Sequence, residues 1–187
     1  MNAIRAIALL GLASALAAQV TSDRIMNAAD EPENWLTYNG SYDSRHFRNL
    51  ADINRENAGS LELKWVWQAR SLEKFEMTPL VVDDVMYIVQ MPNDVLALDA
   101  KTGAEYWKYS HVPGKVNVCC GRVNRGLAMH ENTLYMGTID GKFLAIDATT
   151  GGLKWSKDMV DPEGGYSLTV APLVIKDKLI FGAAGGE

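Results

Sequence analysis

The sequence contains few cysteines and no cluster of basic residues. Only two of its 187 residues are cysteine, and 18 Lys and Arg stand against 23 Asp and Glu, so that the formal net charge is −5. A chain of this charge is not expected to bind nucleic acid. The sequence also lacks Gly-x-Ser-x-Gly and Cys-x-x-Cys-His patterns, which argues against a classical hydrolase nucleophile and against covalently attached haem.

Long apolar runs are equally scarce, and the run at the N-terminus covers only residues 6–18. It is too short to span a bilayer comfortably. It follows a short segment containing Arg5 and ends near the triplet Ala15-Leu16-Ala17. This arrangement predicts a secretory signal peptide over residues 1–18 and a mature domain over residues 19–187, exported to a bacterial periplasm. A buried N-terminal helix is the alternative, and no cysteine follows the run to carry a lipid anchor.

The composition predicts an all-β fold, because the chain has sixteen Gly and five Trp but few helix signals. Residues 21–34 are polar and unpatterned, which predicts an exposed N-terminal arm. Residues 35–38 predict a short strand followed by a turn at residues 39–40, and residues 54–58 predict a helical turn. Residues 61–67 alternate apolar and polar side chains, as does a strand with one buried face.

Further along, the chain repeats itself with a period of 48 residues. Asp99 and Trp107 return as Asp147 and Trp155, each pair 48 positions apart. Self-similarity at this period, with about four strands per repeat, is typical of a β-propeller. Two pairs of inner strands are predicted upstream of the two copies, and a third pair begins after them: residues 79–89, 126–137 and 171–182.

The repeated Asp-Ala-x-Thr-Gly segment is expected to be a turn, since Asp accepts nearby backbone N–H bonds and Gly takes a positive φ. The Trp that follows is large enough to dock on the neighbouring blade, and core filling is the alternative. Residues 61–187 amount to about two and a half blades, whereas propellers typically have at least four. We therefore expect a β-propeller of four-stranded blades with only the first two to three blades present, as the N-terminal part of a longer protein.

The two cysteines, Cys119 and Cys120, are adjacent, and Gly121, Arg122 and Arg125 follow them. Neighbouring Cα atoms are about 3.8 Å apart, which is shorter than the roughly 4.4–6.8 Å of ordinary disulfides. A bond between these cysteines would close a strained ring of the kind that persists at functional sites, and an oxidising compartment favours it. Free vicinal thiols are the alternative. The stretch predicts a rigid platform beside an anionic ligand.

Residues 119–127, Cys-Cys-Gly-Arg-Val-Asn-Arg-Gly-Leu, and the Asp-Ala-x-Thr-Gly…Trp repeats resemble the pyrroloquinoline quinone (PQQ)-dependent alcohol dehydrogenases, the methanol and ethanol dehydrogenase type of periplasmic quinoprotein. The resemblance extends from Asn34 to Glu187. It implies an eight-bladed propeller with PQQ in its central channel, which oxidises primary alcohols to aldehydes and passes electrons to a cytochrome c. The implied partners are a small alcohol and a cytochrome c, and the resemblance allows a homodimer but no membrane-spanning segment.

The resemblance also implies roles for individual residues around the cofactor. Cys119 and Cys120 would form a disulfide ring that packs against the quinone. Arg125 would bind a cofactor carboxylate, because its guanidinium offers paired charge-assisted bonds, whereas Arg122 is expected to point outward. Glu76 matches a carboxylate placed beside the quinone, and Thr169 matches a hydroxyl that hydrogen-bonds PQQ.

The last six residues match a glycine-rich stretch that leads to a metal ligand. Ala184, Gly185 and Gly186 would lie against the cofactor, since small residues allow a close approach of the backbone. Glu187 would bind Ca²⁺ or a lanthanide ion through its carboxylate. Ala184 departs from the methanol dehydrogenase pattern, in which a serine often contacts PQQ. The catalytic aspartate belongs to a later blade in the family, so no catalytic residue is assigned and the isolated chain is expected to be inactive.

Two other functions share part of this pattern. A non-catalytic propeller, such as an outer-membrane assembly scaffold, shares the repeats but requires neither the cysteine pair nor Arg125. A PQQ dehydrogenase that acts on sugars or polyols would keep the cofactor residues and differ in its substrate pocket.

Overall fold

The computed structural model describes residues 19–118 and 121–185. The regular structure of these residues is mainly short antiparallel strands, with one α-helix, α1 (Ser22–Met26), and two 3₁₀ turns, Ala28–Asp30 and Ala58–Ser60. The strands, in chain order, are β1 (Leu80–Val82), β2 (Val85–Gln90), β3 (Asp94–Asp99), β4 (Glu105–Tyr109), β5 (Ala128–His130), β6 (Thr133–Gly137), β7 (Lys142–Asp147), β8 (Leu153–Asp158), β9 (Tyr166–Ser167), β10 (Leu173–Ile175), β11 (Lys178–Ile180) and β12 (Ala184–Gly185).

The strands form two complete propeller blades and the beginning of a third. Blade 1 is the antiparallel meander β1-β2-β3-β4, and blade 2 is the meander β5-β6-β7-β8. The third unit contains the hairpin β10-β11 and a separate pairing of β12 with β9. Both complete blades shift register at the same place in the third strand, after Ala97 in blade 1 and after Ala145 in blade 2. The predicted β-propeller and its inner strand pairs are therefore confirmed.

Aliphatic side chains between the blades form the main core. Leu80 and Val95 of blade 1 pack in one buried cluster with Leu134 and Leu144 of blade 2. Fully burying a side chain of this kind stabilises a fold by about 1.5–3 kcal/mol. The blades are held face to face mainly by this apolar layer.

A tryptophan at the edge of blade 1 docks on the turn of blade 2. The Nε1 of Trp107 donates to the carbonyl of Ala148 at 3.1 Å, and the indole lies against Gly151, where an added Cβ would be 2.6 Å from a ring carbon. Gly151 has a φ of +72°. The turn itself is held by Asp147, whose Oδ1 accepts the amides of Thr149 and Thr150 at 3.0 and 2.9 Å. The predicted docking of the repeat Trp on the neighbouring blade is confirmed for Trp107, whereas Trp155 lies against Tyr135 and Phe143 of its own blade.

The prediction of an exposed arm at residues 21–34 is wrong. Thr21 caps α1 through a 3.1 Å bond from the amide of Arg24, and Ile25 and Ala28 are buried in the main core. Arg24 forms ion pairs with Glu31 at 2.5 Å and with Asp83 of blade 1 at 2.7 Å. Only Ile25 and Ala28 among the few apolar side chains of the arm are buried, whereas Met26 is exposed, so the buried positions are too few to form a pattern in sequence.

The predicted strand at residues 35–38 is also wrong, because only Trp35 pairs, in a single bridge to Val81. The chain then turns, as predicted, with the amide of Gly40 bonded to the carbonyl of Thr37 at 2.8 Å. The predicted helical turn near residue 54 is confirmed by the 2.9 Å bond from the amide of Ala58 to the carbonyl of Asn54.

Residues 61–67 form no β-ladder within the described part of the chain, so the strand predicted there is wrong as a paired strand. Burial alternates only in the second half of the segment, where Trp65 and Trp67 are half-buried and Val66 is exposed; Leu63, on the face predicted to be buried, is exposed. Trp65 donates to the carbonyl of Ala100 at 3.2 Å and lies against Gly103, just as Trp107 does one blade later. The segment thus lies against blade 1 as β4 lies against blade 2, in the position of the outer strand of a neighbouring blade.

Across residues 19–118 and 121–185, no helix has the length and apolar character needed to cross a bilayer.

Candidate functional site

The segments that lead into the inner strands of the three blades lie side by side. Thr78 and Gly126 form a parallel bridge. Gly126 has a φ of +126°, and a Cβ there would be 3.2 Å from the carbonyl oxygen of Thr78 and 4.0 Å from the Cβ of Ala171. These three positions are therefore stacked in adjacent blades. Side chains just before them in sequence are brought into one place.

Arg125 joins the three segments through its backbone and its side chain. Its Nη2 lies 3.1 Å from Oε2 of Glu76, and its Nη1 donates to Oγ1 of Thr169 at 3.1 Å. Its amide donates to the carbonyl of Thr169 at 2.9 Å, and its carbonyl accepts the amide of Thr78 at 3.3 Å. Three residues predicted from sequence as separate cofactor contacts, one from each blade, thus form a single cluster.

The cluster is accessible on one side and anchored on the other. The side chains of Arg125 and Glu76 are 43% and 38% exposed, whereas Thr169 is buried. An ion pair this exposed is worth only about 0–1 kcal/mol, so an incoming anion can compete for the guanidinium at little cost. The guanidinium has five N–H donors, and these contacts use two of them. The arrangement is suited to binding a planar carboxylate.

Asn124, which the sequence analysis did not single out, holds the backbone on both sides of Arg125. It is fully buried, its Nδ2 donates to the carbonyl of Gly137 at 2.8 Å, and its Oδ1 accepts the amide of Gly126 at 3.0 Å. An Asn whose side chain bonds the amide two residues on is an Asx turn. The Asn-x-Gly spacing was a signal that could have identified it.

A hydrogen-bonded His–Asp pair with little exposure, also missed from sequence, lies at the other end of the cysteine-containing segment. His111 Nε2 is 3.0 Å from each carboxylate oxygen of Asp140, and the amide of Gly114 donates to Asp140 Oδ2 at 3.2 Å. Burial alone would raise the pKa of Asp140, but the hydrogen bonds from His111 and Gly114 outweigh it and hold that pKa well below its usual range. The Asp-Gly at positions 140–141 indicated a turn, but nothing in sequence linked it to His111.

The structure describes three of the remaining candidate residues and leaves four outside its described ranges. Ala184 pairs with Ser167 in the β9-β12 ladder, two residues before Thr169. Gly185 has a φ of +89°, and a Cβ there would lie 2.0 Å from the carbonyl oxygen of Gly165, so backbone packing alone requires glycine. Arg122 is exposed, as expected. Four predicted site residues lie outside the described residues: Cys119, Cys120, Gly186 and Glu187.

No group of three or more His, Cys, Asp or Glu side chains within residues 19–118 and 121–185 is arranged to hold a metal ion. The sequence analysis placed only Glu187 at the metal, and that residue lies outside this part of the chain.

Comparison with known proteins places these observations in a family. Residues 35–187 match the family model "PQQ: Glucose/ethanol/alcohol dehydrogenase, beta-propeller domain". The chain is 39% identical over 176 residues to the dehydrogenase subunit of a quinone-linked alcohol dehydrogenase from Gluconacetobacter polyoxogenes, covering 89% of this chain and 24% of that protein. It is 40% identical over 158 residues to the 1-butanol dehydrogenase (cytochrome c) of Thauera butanivorans, covering 82% and 23%.

A similar fold is seen in a solved structure. The europium-containing methanol dehydrogenase superposes with a TM-score of 0.82 at 38% identity, over 88% of this chain and 30% of that one. The chain spans about a quarter of the length of the curated relatives it matches.

Proposed function

The chain belongs to the PQQ family of glucose/ethanol/alcohol dehydrogenase β-propeller domains, and we propose that it forms part of the cofactor site of a quinoprotein that oxidises primary alcohols to aldehydes. The observation that supports this most directly is the meeting of Glu76, Arg125 and Thr169 from three successive blades. A guanidinium and a hydroxyl side by side suit a planar, anionic cofactor. PQQ, a quinone that carries several carboxylates, has this chemistry.

Each residue then has a defined task in holding the cofactor. Arg125 binds a carboxylate through its fork of N–H donors, which favours one orientation of a planar ligand. Thr169 holds the guanidinium through Oγ1 and lies beside the ligand, and Glu76 fixes the other side of the same guanidinium. Cys119 and Cys120 form the platform, as a disulfide between neighbouring residues.

The glycine-rich end completes the proposal for cofactor and metal. Ala184, Gly185 and Gly186 bring the backbone close to the ligand, and Glu187 binds Ca²⁺ or a lanthanide ion. Oxygen ligands suit both kinds of ion, and the europium-containing methanol dehydrogenase shares this fold. Bound PQQ supplies a two-electron acceptor for the alcohol, and the residues of this chain bind and orient it. No residue of this chain is assigned the proton transfer.

The wider setting is part of the same proposal. The substrate is a small primary alcohol, in keeping with the quinone-linked alcohol dehydrogenase and the 1-butanol dehydrogenase. The acceptor is a cytochrome c, which the second relative carries in its name. Residues 1–18 act as a signal peptide and residues 19–187 belong to a periplasmic propeller domain, which is compatible with a homodimer. The 187-residue chain by itself is expected to show no turnover.

Cofactor titration tests the proposal. In the protein that carries this chain, Arg125→Lys should weaken PQQ binding by about 10–100-fold, because one charged hydrogen bond is worth about 1.5–3 kcal/mol. Arg122→Lys is the matched control, since Arg122 is exposed, and it should bind PQQ like the parent. Equal affinity in both variants would remove Arg125 from the site, and an absence of PQQ binding in the parent would favour a non-catalytic propeller.

Substrate choice separates the two catalytic alternatives. With PQQ and Ca²⁺ or a lanthanide present, dye-linked oxidation of ethanol and 1-butanol should exceed that of glucose and glycerol. The reverse order would assign the protein to the sugar and polyol enzymes, and the cofactor residues would keep their roles.

A further inference from the structure

The β6-β7 turn, defined as the last residue of β6 and the four residues after it (137–141), is bonded to segments outside its own blade. The amide of Ile139 donates to Oδ1 of Asn93 in blade 1 at 3.2 Å. The carbonyl of Thr138 accepts the amide of Leu168, at the entry to the third blade, at 3.0 Å. The turn therefore links all three blades at one level of the fold.

The same turn holds both ends of the segment from residue 111 to residue 124. Asp140 binds His111 and the amide of Gly114 at the upstream end. Gly137 accepts the side-chain amide of Asn124 at the downstream end. The side chains of His111 and Asp140 are 13% and 4% exposed, and Asn124 is fully buried, so neither contact is a surface ion pair that solvent would weaken.

Two residues of the candidate site depend on these contacts. Asn124 precedes Arg125, and its Oδ1 bond to the amide of Gly126 folds the backbone around Arg125. Leu168 precedes Thr169, and a Cβ on Gly137 would be 2.6 Å from the Cβ of Leu168. The turn therefore contacts the immediate neighbours of both Arg125 and Thr169 without touching either side chain.

We propose that the β6-β7 turn positions Arg125 and Thr169 for the cofactor, with the His111–Asp140 pair and Asn124 as positioning residues. The proposal rests on the proposed function, since it assigns these residues to the orientation of the same site. Asp140 anchors the upstream end of the segment through His111, Asn124 anchors the downstream end, and the guanidinium is aimed only while both anchors hold. None of these three residues is assigned a contact with PQQ.

His111 offers a conservative and a disruptive substitution at the same place. A glutamine can present its amide nitrogen to Asp140 much as histidine presents Nε2, whereas an alanine leaves the buried carboxylate without that donor. His111→Ala should therefore free the segment, and His111→Gln should keep it close to its parental state. His111 is half-buried, and thermal unfolding of each variant would show that it folds.

Limited trypsin cleavage reports on the anchor without any cofactor. Lys115 and Arg122 are both exposed and lie in the held segment, so cleavage after them depends on local opening. His111→Ala should raise the cleavage rate at these two sites by at least about tenfold, because a buried charged hydrogen bond is lost. Asp84→Asn is the control, since it also removes a carboxylate from an ion pair, and both Asp84 and its partner Lys101 are exposed and belong to blade 1.

PQQ affinity then decides whether the anchor serves the site. We expect His111→Ala to weaken PQQ binding by about tenfold and His111→Gln to restore it, in the protein that carries this chain. Faster cleavage with unchanged PQQ affinity would overturn the positioning role, and unchanged cleavage would overturn the anchor itself. The Arg125→Lys variant keeps the two proposals apart: if it weakens PQQ binding while His111→Ala does not, only the present inference fails. If Arg125→Lys has no effect, the proposed function fails, together with this positioning role.

Discussion

Arg125 and Thr169 are hydrogen-bonded twice, once through the backbone at 2.9 Å and once through their side chains at 3.1 Å. The backbone bond joins the entry segments of two adjacent blades, and the side-chain bond directs the guanidinium along the same line. Because the two residues belong to different blades, Arg125 makes both bonds only when these blades are packed together. The site is a product of blade packing.

Removing the side-chain bond alone should affect the ligand more than the fold. Thr169→Val keeps the shape and the backbone bond but deletes Oγ1, and we expect PQQ binding to weaken by about 3–10-fold, because the guanidinium loses the hydroxyl that orients it. A double-mutant cycle with Arg125→Lys, read by PQQ titration, should give a coupling energy above about 0.5 kcal/mol. Additive effects would show that the two side chains act independently on the cofactor.

The contact of Trp107 with Gly151 should make that glycine irreplaceable. Gly151→Ala places a Cβ 2.6 Å from the indole at a φ of +72°, so we expect the free energy of unfolding to fall by more than about 1 kcal/mol. Chemical denaturation measures the change. Gly59→Ala is the control, because nothing lies within 4 Å of a Cβ there, and a comparable loss in both variants would contradict a wedge between blades.

Asp140 should make the folded protein less stable as the pH falls into the acid range. Its pKa lies below the ordinary value of 3.8 in the folded protein, so its contribution is fully present above pH 3.8 and is lost as the pH falls below that value. Asp140→Asn should therefore reduce the free energy of unfolding at pH 7 by about 2 kcal/mol, the worth of a charged hydrogen bond.

The parent and Asp140→Asn should differ less and less in free energy of unfolding as the pH falls from 5 to 2. Denaturation curves recorded in steps over this range measure the difference. Asp158→Asn, in which the lost carboxylate is 81% exposed, should show little difference at any of these pH values. If the difference in free energy of unfolding between the parent and Asp140→Asn stays constant down to pH 2, the carboxylate charge is not what stabilises the segment.

A substitution at Ala184 should strengthen PQQ binding rather than weaken it. It is exposed and pairs with Ser167 beside the cluster, and the resemblance to the methanol dehydrogenases predicts that it occupies the position where a serine often contacts PQQ. We expect Ala184→Ser to tighten PQQ binding by about 3–10-fold through one added hydrogen bond, measured by equilibrium titration. Ala183→Ser serves as the neighbouring control, and equal effects of the two substitutions would argue that Ala184 does not face the cofactor.

The parts of the fold that could be predicted from sequence are those with local causes. The turn at Asp147 is closed by its own carboxylate and ended by Gly151, so its residues carry the information. Sequence patterning failed where a partner was needed. Residues 61–67 have the alternation of a strand, but a ladder requires a second backbone, and residues 21–34 look polar although Ile25 and Ala28 anchor them in the core.

The candidate site divides in the same way. Arg125, Glu76 and Thr169 could be selected because they match a family pattern, and their roles toward PQQ stay predictions. Asn124 carried a local signal in its Asn-x-Gly spacing. The His111–Asp140 pair could not be selected, because its two side chains are 29 positions apart in sequence.

The sequence by itself determined the blade repeat and its turns, because a carboxylate, a glycine and an indole at set spacings act over a few residues. Only the tertiary structure decided which side chains meet. Glu76, Arg125 and Thr169 are in contact because three inner strands begin at the same level around the propeller, and that level is set by packing between blades.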